Sequence, residues 1–151
     1  MTDSVQDLAH DHREVNRQVF TVGALLPAAE REPAKLPALA AALSDLHDLL
    51  FSHFAREEEA LFPFLADTFP ELAPRVHDMI AAHDRICGAL TRALYLATQP
   101  TTNLTAIRAM YDRFELAYST HASKEASLLH DLDARLTPDQ RATLTGLIAD
   151  L

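Results

Sequence analysis

The sequence predicts an all-α fold, an up-down-up-down antiparallel four-helix bundle with a short C-terminal helix. Three observations carry this. Apolar residues recur in alternating three- and four-residue steps along four long segments. Prolines and one short polar stretch mark the breaks between them. The 151 residues include only 3 glycines and no tryptophan, with few long β-branched runs. Connections this short imply antiparallel neighbours.

Segment one carries Val5, Leu8, His12, Val15, Val19, Val22 and Leu26, and Pro33 and Pro37 bracket the connection after it. Segment two carries Leu39, Leu43, Leu46, Leu50, His53, Glu57, Ala60 and Phe64. Pro63 is expected to kink or end that segment, because proline lacks the amide a helix interior uses. Pro70 and Pro74 open segment three, which runs Leu72, Val76, Met79, His83, Ile86, Leu90 and Leu94. Gln99-Pro100-Thr101-Thr102-Asn103 then leads to segment four, with Leu104, Ile107, Tyr111, Phe114, Tyr118, His121, Glu125, Leu128 and Leu132. Thr137-Pro138-Asp139-Gln140 reads as a capping box with proline at the first helical position, starting a last short helix. A chain of this length makes one domain, residues 1–151, with a core over about 3–132 and a terminal helix over about 138–150.

Charge and composition exclude several function classes. A net charge of −9 argues against nucleic acid or an anionic membrane as partner. No apolar stretch approaches the roughly 20 residues that span a bilayer. The start, Met1-Thr2-Asp3-Ser4, lacks a basic stretch followed by an apolar one, so no signal peptide is expected. The one cysteine, Cys87, excludes an internal disulfide and fits a reducing compartment, which predicts a cytoplasmic protein. No nucleophile elbow occurs, and the only cysteine lies within a helix, so a serine or cysteine hydrolase is not indicated.

Six metal-ligand types, His12, His53, Glu57, His83, His121 and Glu125, fall on the apolar stripes of the four segments. Such side chains are costly in core positions unless something binds them. His53 with Glu57 and His121 with Glu125 have i,i+4 spacing, which stacks both side chains on one helix face. Counting from shared bundle ends, His12 lies about 16 residues before the first turn and His53 about 17 after it. Glu57 lies about 9 before the second turn and His83 about 12 after it. His83 is about 15 before the third turn, against about 19 for His121. At ~1.5 Å per residue the mismatches are about one turn each, so all six can converge on one zone.

Two carboxylates from different helices can bridge a pair of metal ions, and four imidazoles supply two nitrogens to each. This donor set suits iron, and also manganese or zinc, better than thiolate-seeking metals. Four protein ligands and an oxo or hydroxo bridge leave each ion an open position for O₂, NO or peroxide.

Spacing alone is weak, as His10 with Glu14 shows: that pair repeats it but points off the stripe and reads as solvent-exposed. His47, His77 and His130 lie beside their stripes and read as boundary residues, or at most as partners of ligands. Glu58 and Glu59 read as a solvated face. Tyr118 is read as a core aromatic with its hydroxyl satisfied, or else as a donor near the metals. Cys87 is read as a small buried hydrophobe, or else as a soft neighbour of the site. A ferritin-type site needs Glu-x-x-His on two helices, and no glutamate here has a histidine three residues later.

The order His, His-x-x-x-Glu, His, His-x-x-x-Glu, from His12 through about Leu132, resembles the hemerythrin-like (HHE cation-binding) domains. The resemblance implies two iron ions, oxo- or hydroxo-bridged, with manganese or zinc second to iron. It implies His12 and His121 as terminal ligands of one ion, His53 and His83 of the other, and Glu57 and Glu125 as bridges. Oxygen-carrying members place a further histidine four residues after the third-helix one, where this chain has Cys87. The chain is therefore more similar to members that repair iron centres under nitrosative stress, to mycobacterial ones and to an F-box iron sensor, without their extra domains.

The residues and the resemblance together lead to the expectation of a di-iron protein that meets O₂, NO or hydrogen peroxide in stress or iron homeostasis. Catalase-like or NO-linked turnover, with an unidentified electron donor, is one form of it. An iron-storing, iron-sensing or iron-delivering module with an iron-accepting partner is the alternative. A metal-free bundle whose histidines only pack is the third reading.

Overall fold

Every regular element among the described residues is helical. The computed structural model describes residues 4–149, with side chains from His12 onward; Val5, Leu8 and His10 lie outside the described side chains. Helix α1 spans Ser4–Arg31 and runs through Pro27. A short 3₁₀ turn, Pro33–Lys35, leads into α2, Leu36–Arg56, whose first turn holds Pro37, where no helical amide is required.

Segment two departs from the sequence expectation. Pro63 neither ends it nor marks a simple kink. The helix widens instead into a π turn, Glu57–Leu61, and resumes as α3, Phe62–Thr68. The amide of Phe62 bonds back to the carbonyl of Glu57, five residues away. Proline in a regular α-helix would press on the carbonyl four residues back, here that of Glu59, and the wider turn accommodates it. Helix α3 stops because Phe69 precedes Pro70, a position that disfavours helical backbone; Phe69 has φ −128° and ψ 79°.

A second 3₁₀ turn, Pro70–Leu72, opens α4, Ala73–Ala97. Helix α5, Leu104–Arg135, starts at Asn103, whose side chain accepts from the amide of Ala106 at 3.0 Å. Helix α6 spans Pro138–Ala149. The Gln140 amide donates to Thr137 Oγ1 at 3.2 Å and the Thr137 amide to Gln140 Oε1 at 3.0 Å, the reciprocal pair the sequence predicts.

Helix α1 packs on α2 and α5, and α4 packs on α2 and α5. Cross-helix contacts give directions. Moving up α5, Arg108 bonds Glu30, Tyr111 bonds the Val19 carbonyl and Tyr118 bonds Asn16, so α5 runs against α1. Arg75 with Asp131 and His83 with His121 show that it also runs against α4.

The stripe residues fill two apolar clusters. One holds Leu39, Leu43, Leu46 and Leu50 of α2 with Ile86 and Leu90 of α4, and Ile107, Tyr111 and Phe114 of α5. The other holds Leu61 of the π turn and Phe62 and Leu65 of α3 with Val76 and Met79, Leu128 and Leu132, and Leu144 of α6. The four leucines of α2 are fully buried, each worth about 1.5–3 kcal/mol of transfer. Along α4 and α5, which contribute to both clusters, the buried polar residues His83, His121 and Glu125 fall between them. A polar layer thus lies between two apolar blocks. No helix among the described residues is long and apolar enough to cross a membrane.

Candidate metal centre

The six stripe residues meet in that layer. Glu57, Glu125, His53, His83 and His121 are all at most 3% exposed, and His12, at the rim, keeps 15% of its side chain accessible. Helix α1 brings His12, α2 brings His53, the first residue of the π turn is Glu57, α4 brings His83, and α5 brings His121 and Glu125.

Their reactive atoms face inward. His53 Nε2 lies 2.5 Å from Glu57 Oε1, and His12 Nε2 lies 3.4 Å from the same oxygen. His83 Nε2 stands 3.0 Å from Glu57 Oε2 and 3.1 Å from His121 Nε2. Glu125 Oε2 is 3.0 Å from His121 Nε2 and 3.3 Å from His12 Nε2. These atoms form two sets, each with every atom within 4.8 Å of the others: His12, His53, Glu57 and Glu125, and Glu57, His83, His121 and Glu125. Both carboxylates belong to both sets.

This grouping differs from the pairing that the resemblance implied. His12 stands with His53, not with His121, and His83 stands with His121, not with His53. The reason is the packing. Each of the four long helices touches two others, and the histidines group along the more extensive contacts, α1 with α2 and α4 with α5.

Electrostatics set the layer apart from an ordinary core. Burial alone would raise the Glu57 carboxyl, but contact with Glu125, His12, His53 and His83 outweighs it and holds the group well below the usual carboxylate range. Burial would likewise lower His12, yet Glu125 and Glu57 push it up to about 10. Glu57 Oε2 and Glu125 Oε1 are buried and accept no hydrogen bond. Glu57 Oε2 has His83 Nε2 at ion-pair distance but outside hydrogen-bonding geometry. Buried acceptors in excess of donors are what a cation satisfies. Imidazole nitrogen with carboxylate oxygen fits iron, manganese or zinc, so the residues pass the test of fit to a metal.

Three contributors escape a reading by helical period. Glu58, expected to be solvated, accepts from His83 Nδ1 at 3.1 Å. The Phe54 ring stacks on His83 with centroids 3.6 Å apart and planes 9° apart. Phe62 approaches the same imidazole at 5.4 Å. Pro63, five residues after Glu58, was the available signal for the π turn that moves this segment out of α register.

The remaining candidates fall elsewhere. Glu14 pairs with Arg17 at 3.0 Å. His47 stacks on Phe51 at the half-buried surface, and His77 and His130 are exposed. Tyr118 is buried and donates to Asn16 Oδ1 at 2.7 Å; burial, with the charges of Glu125 and Glu57, raises its phenol. Cys87 is half-buried against the first apolar cluster and belongs to neither set of ligand atoms.

No curated protein and no solved structure matches the chain. The hemerythrin HHE cation-binding domain profile matches residues 3–132, which takes in α1, α2, the π turn, α4 and all of α5 except its last three residues. The chain therefore belongs to the hemerythrin HHE cation-binding domain family.

Proposed function

We propose that the protein is a non-haem di-iron protein that binds or reacts with a small oxidant, O₂, NO or hydrogen peroxide, in the cytoplasm. The observation that carries this is the double membership of Glu57 and Glu125, each within reach of two separate pairs of imidazoles. Two metals sharing two carboxylates use all six residues, with His12 and His53 on one and His83 and His121 on the other. The up-down-up-down bundle expected from the sequence supplies one face of each long helix to that arrangement.

Iron held by these six residues would supply ferrous–ferric redox chemistry toward the small ligand. The chain's own residues set the conditions. Glu57 and Glu125 bring two carboxyl groups into a layer closed off by apolar residues at both ends. Phe54 and Phe62 exclude water from the faces of His83 and fix its plane. Glu58 takes the Nδ1 proton of that ring as a hydrogen-bond acceptor and so turns the Nε2 lone pair inward.

Metal content per chain, measured with a visible spectrum on protein from iron-replete cells, tests the proposal. The expected result is two irons with the near-ultraviolet charge-transfer bands of a carboxylate-bridged diferric centre. A preparation with no iron, or with zinc at scattered occupancy, would overturn it.

A further inference from the structure

A groove of about 850 Å³ runs between α4 and α5 and reaches inward as far as His121. Its walls carry four cations, Arg75 and Arg85 from α4 and Arg113 and Lys124 from α5, against the single carboxylate of Asp78. Four of the chain's 13 basic residues are gathered here although the protein as a whole is at −9. Arg75 pairs with Asp131 at 3.9 Å. Arg85, Arg113 and Lys124 form no ion pair among the described residues.

The space between those charges is apolar. Ala82 of α4 and Ala117 and Leu116 of α5 line it, and Leu116 is 71% exposed. Small side chains on both helices open the groove, and the charges stand along its walls.

Register places two of the cations on either side of the histidine contact. His83 and His121 touch across the seam. Arg85 is two residues beyond His83, and Lys124 is three beyond His121 on a helix running the other way. They therefore flank the histidine contact from opposite sides, about five residues or ~7.5 Å apart along the seam. Side chains of that length can both reach one anionic group between them.

We propose that this groove binds a small amphipathic carboxylate of the medium-chain fatty-acid class. The carboxylate lies between Arg85 and Lys124 at the level of His121, and the hydrocarbon chain lies over Ala82, Ala117 and Leu116. A concave, mainly apolar site with a few convergent polar groups is the usual form of a small-molecule site, and the volume is within the usual range. The charge selects an anion, and the apolar strip selects one with a hydrocarbon body. Binding of this kind goes beyond the metal reading and stands on the groove alone.

The test is calorimetric titration of the full chain with decanoate below its micelle concentration, in parallel with decanamide and inorganic phosphate. Saturable decanoate binding is expected, at least tenfold weaker for decanamide and for phosphate. The double variant Arg85→Gln/Lys124→Gln is expected to bind decanoate at least tenfold more weakly while keeping its helical content and metal content. Absence of saturable binding, equal affinity for decanamide, or an unchanged double variant would each overturn the proposal. Equal affinity for phosphate would overturn it too, since the apolar strip would then have no part. Loss of metal together with loss of decanoate binding would also count against it, because the two side chains would be acting through the fold. Metal content measured on the same samples keeps the two readings separate: failure to bind decanoate with iron in place touches only the groove.

Discussion

The carboxylate of Glu58 lies 3.1 Å from His83 Nδ1. A carboxylate accepts, so the ring donates from Nδ1, and in the neutral ring Nε2, which faces Glu57 Oε2 and His121, is the nitrogen left to bind a metal. A residue at the protein surface, 38% exposed, thereby decides the tautomer of a buried one. Ligands that are oriented through their second nitrogen bind metal more tightly than free ones.

Glu58→Gln should weaken metal binding by about tenfold to a hundredfold. The change in folding stability of the metal-free chain should stay under about 1 kcal/mol, because the pair is partly solvated. Competition against a calibrated chelator reads the first quantity and urea unfolding the second. Unchanged affinity would remove Glu58 from the site.

Glu57→Ala deletes the carboxylate common to both ligand sets. Both metals should be lost together. Retention of two irons with full reactivity would show that Glu57 does not bridge.

Tyr118→Phe removes only the hydroxyl that donates to Asn16. Stability should fall by about 1 kcal/mol, the usual worth of such a bond, and metal content should not change. Asn16 is exposed and can turn to water, which keeps the cost small. A drop in metal content would instead place the phenol within the site's hydrogen bonding.

Burial, followed by the nearby charges of Glu58 and Asp84, pushes the Cys87 thiol up to about 12. Alkylation requires the thiolate, so the sign is definite: slow reaction at neutral pH, faster as pH rises. The iodoacetamide rate, followed by mass spectrometry, should climb about tenfold per pH unit from about pH 7 to about pH 10 without levelling, whereas an ordinary thiol flattens above its pKa of about 8.5. A plateau near pH ~9 would show a solvated thiol.

Helical period made most of this legible. Ile107, Tyr111, Phe114, Tyr118, His121, Glu125, Leu128 and Leu132, selected on spacing alone, are all buried in α5. Breaks were legible where proline or a capping residue fixes local backbone, as at Asn103 and Thr137. Two things were not. Spacing gives the height of a residue along a bundle but not which helix faces which, so the partner of His12 had to come from packing. Period reasoning also assumes one fixed turn per residue, and the five residues Glu57–Leu61 break that assumption where the carboxylates are. Glu58 is exposed as the sequence suggested, but its bond to His83 was not legible.

The polar layer draws together residues far apart along the chain: His12 and Glu57 are 45 positions apart, and His83 and His121 are 38. Cations gripping these side chains would act as cross-links that close long loops. Each closure lowers the entropy of the disordered chain by an amount that grows only as the logarithm of loop length, so these spans cost little more than short ones to tie. With the cross-links in place, the four long helices cannot separate while coordination persists. Opening of the chain and escape of the ions then become a single event, and the lifetime of the loaded fold is the lifetime of its slowest ligand bond.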